Sequence, residues 1–411
     1  MSSEVKVAPG SAGSGLTVTA LRANVRADLD RFVAVTRSAP IRTLYEPYRE
    51  IWCPPLDDTL RATLAPENPI YEHTDWSLFV ASRGTVDVGR VAAFWNPLST
   101  LVANDKLGFF GFFEAADVEV ARMLLFEGVW PWLKRHGASG MVGNISPTTN
   151  DEVGVLIEGF HQHILLLAFN PPEYPRFFAE LGFGKEHDIL GFTAPFRPET
   201  FQPVVGRRHS YDDMDRFADV MARRAGVTIE TLDKRHADRF AREFCSVYNR
   251  AWRDHWGFEP YTSAELLYTA RDLLGLIPKD LVQLARNKAG EMVGVVICTP
   301  DLNDIFRSFD GKMGIREMAK TAAAIFAPPG FPLVKRSKTI RYIALGVLPE
   351  YESKGTSAAL MMKIASYGLR RGYTHLNISW VLEDNEPMLS VPKKLHLSPD
   401  QRWRFFSWRP T

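Results

Sequence analysis

Residues 340–359, IRYIALGVLPEYESKGTSAA, read in order as strand, loop and helix. The run from Ile340 to Val347 has the length and apolar content of a strand. Pro349 has no ladder donor to give and ends it. A polar loop follows, Glu352-Ser353-Lys354-Gly355-Thr356-Ser357. Ala358 through Leu369 then carries apolar residues at helical spacing, with Thr356 or Ser357 as N-cap. The first N–H groups of such a helix lack intrahelical acceptors, and its dipole adds partial positive charge, so this turn suits an anion. Gly355 permits close backbone approach, and Lys354 adds a charge.

The chain has 411 residues, long for one core, which predicts two domains. Net charge is +1, so nothing indicates a nucleic-acid surface or a polybasic membrane anchor. Cys53, Cys245 and Cys298 lie far apart without CxxC spacing, which predicts buried thiols rather than disulfides or a zinc site, and no metal. No apolar run reaches membrane-spanning length. Residues 1–15 are Gly/Ser-rich without an apolar signal core and read as a disordered tail, with the cytoplasm as the expected compartment.

Working outward, strands are expected at 16–21, 76–81, 88–95, 108–113, 141–145, 164–168 and 187–192, with a helix capped by Asp117 and kinked at Pro131. The same plan returns from Val227. A strand at 227–231 and a helix at 237–253 precede a hairpin of 281–286 with 292–298. The opening stretch, a strand at 374–380 and a last strand at 402–408 complete it. Asn144-Ile145-Ser146 is followed by Asn150-Asp151-Glu152, and Asn377-Ile378-Ser379 by Glu383-Asp384-Asn385. The chain therefore reads as a diverged internal repeat: 16–197, a linker at 198–226, and 227–411 with an insertion at 301–337. Within the insertion, 313–326 reads as an amphipathic helix, a lid or a thickening of the core.

This element order resembles the GNAT acyltransferase domain, present twice. The fold class implied is α/β, two tandem GNAT-like domains, each a mixed, mostly antiparallel sheet flanked by helices. The segments GFFGFFEAAD, NISPTTNDEVGVLIEGF, YNRAWRDHWGF, PDLN, LGVLPEY and SWVLEDNEPM are similar to a bacterial family of tandem GNAT-like proteins. The loop resembles the superfamily's pyrophosphate loop, Arg/Gln-x-x-Gly-x-Gly/Ala. Glu352, Gly355 and Ser357 hold those places, and Glu352 replaces a basic or amide residue. In the first half, GFFGFF runs through Glu114-Ala115-Ala116-Asp117 straight into a helix, with acids that repel phosphate. The second half is thus the expected coenzyme half.

The resemblance implies a thioester donor, acyl-CoA or the phosphopantetheine of an acyl carrier protein, and direct attack by a small-molecule or peptide amine. Leu345, Gly346, Val347 and Leu348 would contact the pantetheine arm. Lys354, Gly355, Thr356 and Ser357 would hold the pyrophosphate, with Asn385 beside the coenzyme. Glu383 or Asp384 would be the general base or bind the acceptor ammonium, unless they cap the helix near Asn385. His255 titrates near neutrality and could carry a proton. Trp252, Trp256, Phe258 and Trp380 would wall the acceptor or acyl pocket. The superfamily's usual Tyr acid has no counterpart in the second half; the first half has Phe178 near that place and Tyr174 close by. The function expected is an N-acyltransferase; the alternative is a non-catalytic GNAT-like ligand-binding protein.

Overall fold

The computed structural model describes residues 15–201, 210–327, 331 and 335–411. Most of the expected tail, part of the linker and part of the insertion lie outside them. The strands are β1 (Leu16–Leu21), β2 (Asp75–Arg83), β3 (Val86–Trp95), β4 (Leu107–Ala115), β5 (Gly140–Gly143), β6 (Ile145–Ser146), β7 (Glu152–Val153), β8 (Val155–Glu158) and β9 (Gly184–Pro195) in the first half. The second half supplies β10 (Thr228–Thr231), β11 (Val282–Arg286), β12 (Met292–Pro300), β13 (Thr339–Val347), β14 (His375–Leu382) and β15 (Gln401–Trp408). The helices that position the site are α1 (Tyr211–Ala225), α2 (Ala237–Ala251), α3 (Ser263–Leu276), α4 (Ile315–Phe326), α5 (Thr356–Arg370) and α6 (Glu386–Lys394).

Among the described residues the sheets of the two halves are joined into one, and β6 and β7 form a separate two-stranded hairpin. One sheet runs β1-β2-β3-β4-β5-β15-β9-β14-β13-β12-β11-β10, with β8 also on β15. The two halves have exchanged their last strands. β15, the end of the second half, pairs with β5 of the first (Phe406↔Gly143), while β9, the end of the first, pairs with β14 of the second (Ile378↔Phe192). β9 and β15 then pair antiparallel with each other (Gln401↔Gly191).

The exchange is held by apolar burial. Trp403 and Phe405 of β15 sit in the first half's core, and the Trp403 indole N–H donates to the Ala168 carbonyl at 2.8 Å. Leu190 and Phe192 of β9 sit in the second half's core beside Ile340, Leu376 and Ile378. One buried carboxylate adds to this. Asp188 of β9 takes two hydrogen bonds from the Arg404 guanidinium of β15, at 2.8 and 2.9 Å. Burial alone would raise the Asp188 carboxyl, but Arg404 and Lys185 outweigh it and hold it below the usual carboxylate range.

Three expectations change. The stretch read as a linker carries α1, whose Met214, Ala218, Ala222 and Ala225 are buried, and whose Asp215 accepts from Ser366 and Arg370 of α5 at 2.9 and 2.6 Å. The sequence shows an apolar stripe only around Met214–Met221, and the charges on either side of it, among them Arg207, Arg208, Arg223 and Arg224, make the stretch read as a linker. The strand expected at 164–168 is absent. Its backbone hydrogen bonds go to side chains instead: Leu165 N–H donates to Asp301 at 3.0 Å, and Arg341 donates to the Leu165 carbonyl. The strand of that region is β8. The helix after Asp117 is distorted by a π-helical turn, Leu124–Val129, just ahead of Pro131.

The insertion packs between the halves. Its Leu302, Ile305, Phe306, Phe309 and Ile325 cluster with Cys53 and Leu165 of the first half. Because each half is completed by the other's strand, calorimetry of the whole chain is expected to show one cooperative transition rather than two. Trp403→Ala should destabilise that single transition by about 3–5 kcal/mol, as for other large-to-small core changes.

Candidate functional site

β13 and β14 run parallel and hydrogen-bonded from Thr339↔His375 to Tyr342↔Ile378, and then separate. On its other edge β13 slips by one residue against β12: Ile297 faces Ala344 and Cys298 faces Tyr342. Ile343 is therefore a bulge residue without a ladder partner on either side. Beyond it β13 is paired on the β12 side only, and its free edge faces a cavity of about 780 Å³. That volume is in the upper part of the range usual for small-molecule sites.

The cavity is lined at one end by the loop and helix start, Glu352, Ser353, Gly355, Ser357 and Ala358. The loop turns as the sequence suggested. Pro349–Glu352 forms one helical turn, and Gly355 takes φ +97° as N-cap of α5, with no side-chain cap. The first amides of α5 are thus free to meet an anion. Its lining also has a large apolar part, with Phe240 and Phe244 of α2, Ile277, Val282 and Ile297, and Met388, Val391 and Leu395 of α6 and its end.

The matching crevice of the first half is filled. Phe112 N–H donates to the Ser146 hydroxyl at 2.8 Å, and Phe113 N–H to the Asn144 side chain at 3.4 Å. A Cβ on Gly111 would lie 1.9 Å from the Ile145 carbonyl oxygen. Asp117 caps its own helix by accepting from Val120 N–H at 3.0 Å. Glu114 is buried, accepting from Tyr174 at 2.5 Å and Tyr45 at 3.2 Å.

The first half instead contributes to the second half's cavity. The β6–β7 hairpin carries Thr149, Asn150, Asp151 and Glu152 into its wall. Thr149 N–H donates to Glu259 at 3.0 Å, its hydroxyl donates to the Gly257 carbonyl at 2.6 Å, and Tyr248 donates to the Asn150 side-chain carbonyl. Asp151 accepts from the Thr148 hydroxyl at 2.6 Å, yet burial raises it to about 6. Glu152 lies deep in the molecule, but its side chain is exposed, because the surface it presents is the cavity wall. Burial raises its carboxyl to about 7 against the attraction of Arg341, with Glu114 and Asp151 adding repulsion, and among the described residues no hydrogen bond holds it.

Arg341 sits where β13 and β14 are about to part. Burial lowers it to about 9, opposed by Asp301 and Glu152. Its Nε, and the Ser379 hydroxyl on β14, are buried without partners among the described residues, and both residues line the cavity. Unsatisfied polar atoms at this point of a cavity wall are what a bound polar group would meet.

The residues expected from sequence divide into two groups. Leu345, Gly346, Val347, Gly355, Ser357 and Asn385 line the cavity, as do Trp252, Trp256, Phe258, Trp380 and His255. The Trp252 indole lies flat on β13, so that a Cβ on Gly346 would be 1.9 Å from it. Burial lowers His255, against the pull of Asp384, Asp254 and Glu352. Asn385 also caps α6, accepting from Met388 N–H at 3.1 Å.

Leu348, Lys354, Thr356, Glu383 and Asp384 are not in the lining. Leu348 is buried with its N–H on the Val293 carbonyl, and Thr356 is buried with its hydroxyl on the Tyr351 carbonyl. The Lys354 ammonium lies over the Tyr351 ring at 5.0 Å. Glu383 accepts from Lys185 at 2.6 Å and from Asp188 N–H at 3.0 Å, tying β14 to β9. Asp384 is largely exposed, 3.3 Å from the His187 imidazole. Of the two copies of the repeated motif, it is the first whose acids, Asp151 and Glu152, stand in the cavity wall, and not the second.

Residues 241–396 match the Acetyltransferase (GNAT) family. Over 352 residues, 84% of this chain and 86% of its relative, the sequence is 30% identical to the bacterial ceramide synthase of Caulobacter vibrioides (strain NA1000 / CB15N). It is 28% identical over 400 residues, 95% of each chain, to protein YghO of Escherichia coli (strain K12). A tandem GNAT protein from the clavulanic acid biosynthesis pathway has a similar fold, with TM-score 0.52 and 13% identity over 96% of this chain and 99% of that one.

Gly355→Val forces a β-branched residue into left-handed backbone, at about 1–2 kcal/mol. Calorimetric titration with a non-reactive acyl-CoA thioether is expected to show at least tenfold weaker binding in this variant. Lys354→Ala should stay within threefold of the wild type.

Proposed function

Because the chain belongs to the tandem GNAT-like acyltransferase family, we propose that it moves a long acyl group from a thioester to an amine borne on an apolar chain, using the second half's cavity and the first half's Glu152 as general base. A ceramide is the amide of a fatty acid with a long-chain amino alcohol, and the relative named for making one supports an acceptor of this class. The apolar part of the cavity, with Phe240, Phe244, Ile277 and Ile297, suits such chains.

The donor's phosphates would rest on the free amides at Gly355–Ala358, and its pantetheine arm along the unpaired edge of β13. The acceptor enters as an ammonium. Glu152, as carboxylate, takes one proton from it, and the nitrogen attacks the thioester carbonyl. Backbone N–H at the Ile343 bulge, which has no ladder partner on β12, would meet the developing oxyanion. The C–N bond forms and the C–S bond breaks, the nitrogen gives its second proton to the departing thiolate, and the Glu152 carboxyl returns its own proton to solvent. Ser379 and Arg341 offer their unsatisfied donors to the acceptor's polar head.

The observation that carries this reading is Glu152, a carboxyl that reaches the cavity, has no hydrogen-bond partner among the described residues and is raised to about 7. A base with that value is half-ionised near neutral pH, where proton transfer is most effective. Only the ionised form accepts a proton, so kcat is expected to be full above about 7 and to fall as pH drops through it. Glu152→Gln should lower kcat by about 10²–10⁴-fold and leave thioester binding unchanged, while Glu383→Gln keeps most of its turnover. Unchanged kcat in Glu152→Gln sinks the assignment.

Glu352 favours a second reading of the donor. Its carboxylate lines the cavity beside the anion-binding turn and opposes the several phosphates of CoA more than the single phosphate of a carrier-bound phosphopantetheine. On this reading, kcat/KM is higher with an acyl carrier protein than with the matching acyl-CoA, and Glu352→Gln narrows the difference. A higher value with acyl-CoA removes it.

A further inference from the structure

We propose that α4 and the basic hollow at its end dock the protein peripherally on an anionic lipid surface, with Ile315, Met318 and Phe326 entering the interface. These side chains are 87%, 59% and 53% exposed. With Ala319 and Ala322 they fall at helical spacing on one face. A neighbouring face is already committed, since Thr321, Ala324 and Ile325 are buried. The helix therefore exposes a second apolar stripe, beside its charged one, that nothing in the fold covers.

Its flanking charges name the occupant. Lys312, Arg316 and Lys320 are exposed along or just before the helix. The helix's one acid, Glu317, is turned back to accept from Gly314 N–H at 3.2 Å. At the C-terminal end, Phe326 borders a hollow with Lys234, Arg235 and Lys279. Asp233 in that hollow is already taken by Arg235 and His236, at 2.8 and 3.1 Å. Exposed apolar side chains ringed by cations are the composition of an interfacial helix on anionic lipid. Among the described residues no helix is long and apolar enough to cross a membrane, so the contact lies at the surface.

The position also connects to the cavity. α4 packs against α3, whose Leu266, Thr269 and Ala270 line the cavity's wall. A lipid surface held by α4 therefore lies one helix away from the space assigned to the acceptor chain. The inference rests on the lipid-amine reading for its purpose only, since docking is measured without turnover.

The full chain is spun with phosphatidylcholine vesicles and with vesicles of phosphatidylcholine and phosphatidylglycerol. Wild type is expected to bind the anionic vesicles, and high salt is expected to weaken that binding. The variant I315S/M318S/F326S and the variant R316E/K320E should each bind at least tenfold less, with unchanged melting temperature. Their turnover of a soluble short-chain amine should equal wild type, which reports on the acyl-transfer reading separately. Equal binding of wild type and the apolar triple variant, or no preference for anionic vesicles, overturns the proposal. So does sedimentation showing a wild-type dimer that the triple variant dissolves, which would assign the face to a second copy.

Discussion

The antiparallel pairing of β9 with β15 at the middle of the sheet is the contact on which the rest depends. Each strand is the last of its own half and is laid into the other half's core. Fixing Trp403, Phe405, Leu190 and Phe192 there removes a large apolar area from water, at roughly 25 cal/mol per Å². It also makes the two halves one body. The hairpin that carries Glu152 leaves β5, which pairs with β15, and so its position relative to β13 is set by the same exchange.

A composite site follows from that geometry. The second half supplies the anion-binding turn, the free strand edge and the apolar chamber. The first half supplies the carboxyls. Its own crevice has become structural: Ser146 and Asn144 take the amides that would face a ligand, and Asp117 occupies its helix start. In the second copy Glu383 serves as a tie between β14 and β9. Burial in the wall raises Glu152 into the range where it can both accept and return a proton.

Local pattern carried much of this in the sequence. The strand at 340–347, the glycine turn and the helix after it are written in residue types with local physical meaning, and so is the lack of a phosphate turn between Phe113 and Val118. The aromatic residues of 252–258 and Trp380 were legible as a wall because bulky rings beside a cleft have few other uses. What could not be read was pairing between distant strands. Nothing in the composition of β9 or β15 states which neighbour each will choose, and the fold brings the acids Asp151 and Glu152 to the cavity while, of the second cluster, only Asn385 lines it. Sequence reading noticed both copies of that motif and looked to the second, whose Glu383 the structure ties to β9, since it assumed each half closes on itself. α1 was missed for a different reason: its apolar stripe, Met214, Phe217, Ala218 and Met221, is short and stands in a stretch otherwise rich in charge.

The most direct measurement is a crystal structure of the full chain with a non-reactive long-chain acyl-CoA thioether. The account expects the phosphates on the amides of Gly355–Ala358, the acyl chain toward Phe240 and Phe244, and the Glu152 carboxyl on the acceptor side of the bound carbonyl. A ligand seated between β4 and β5, or a chain that leaves Glu152 remote from the carbonyl, would contradict it.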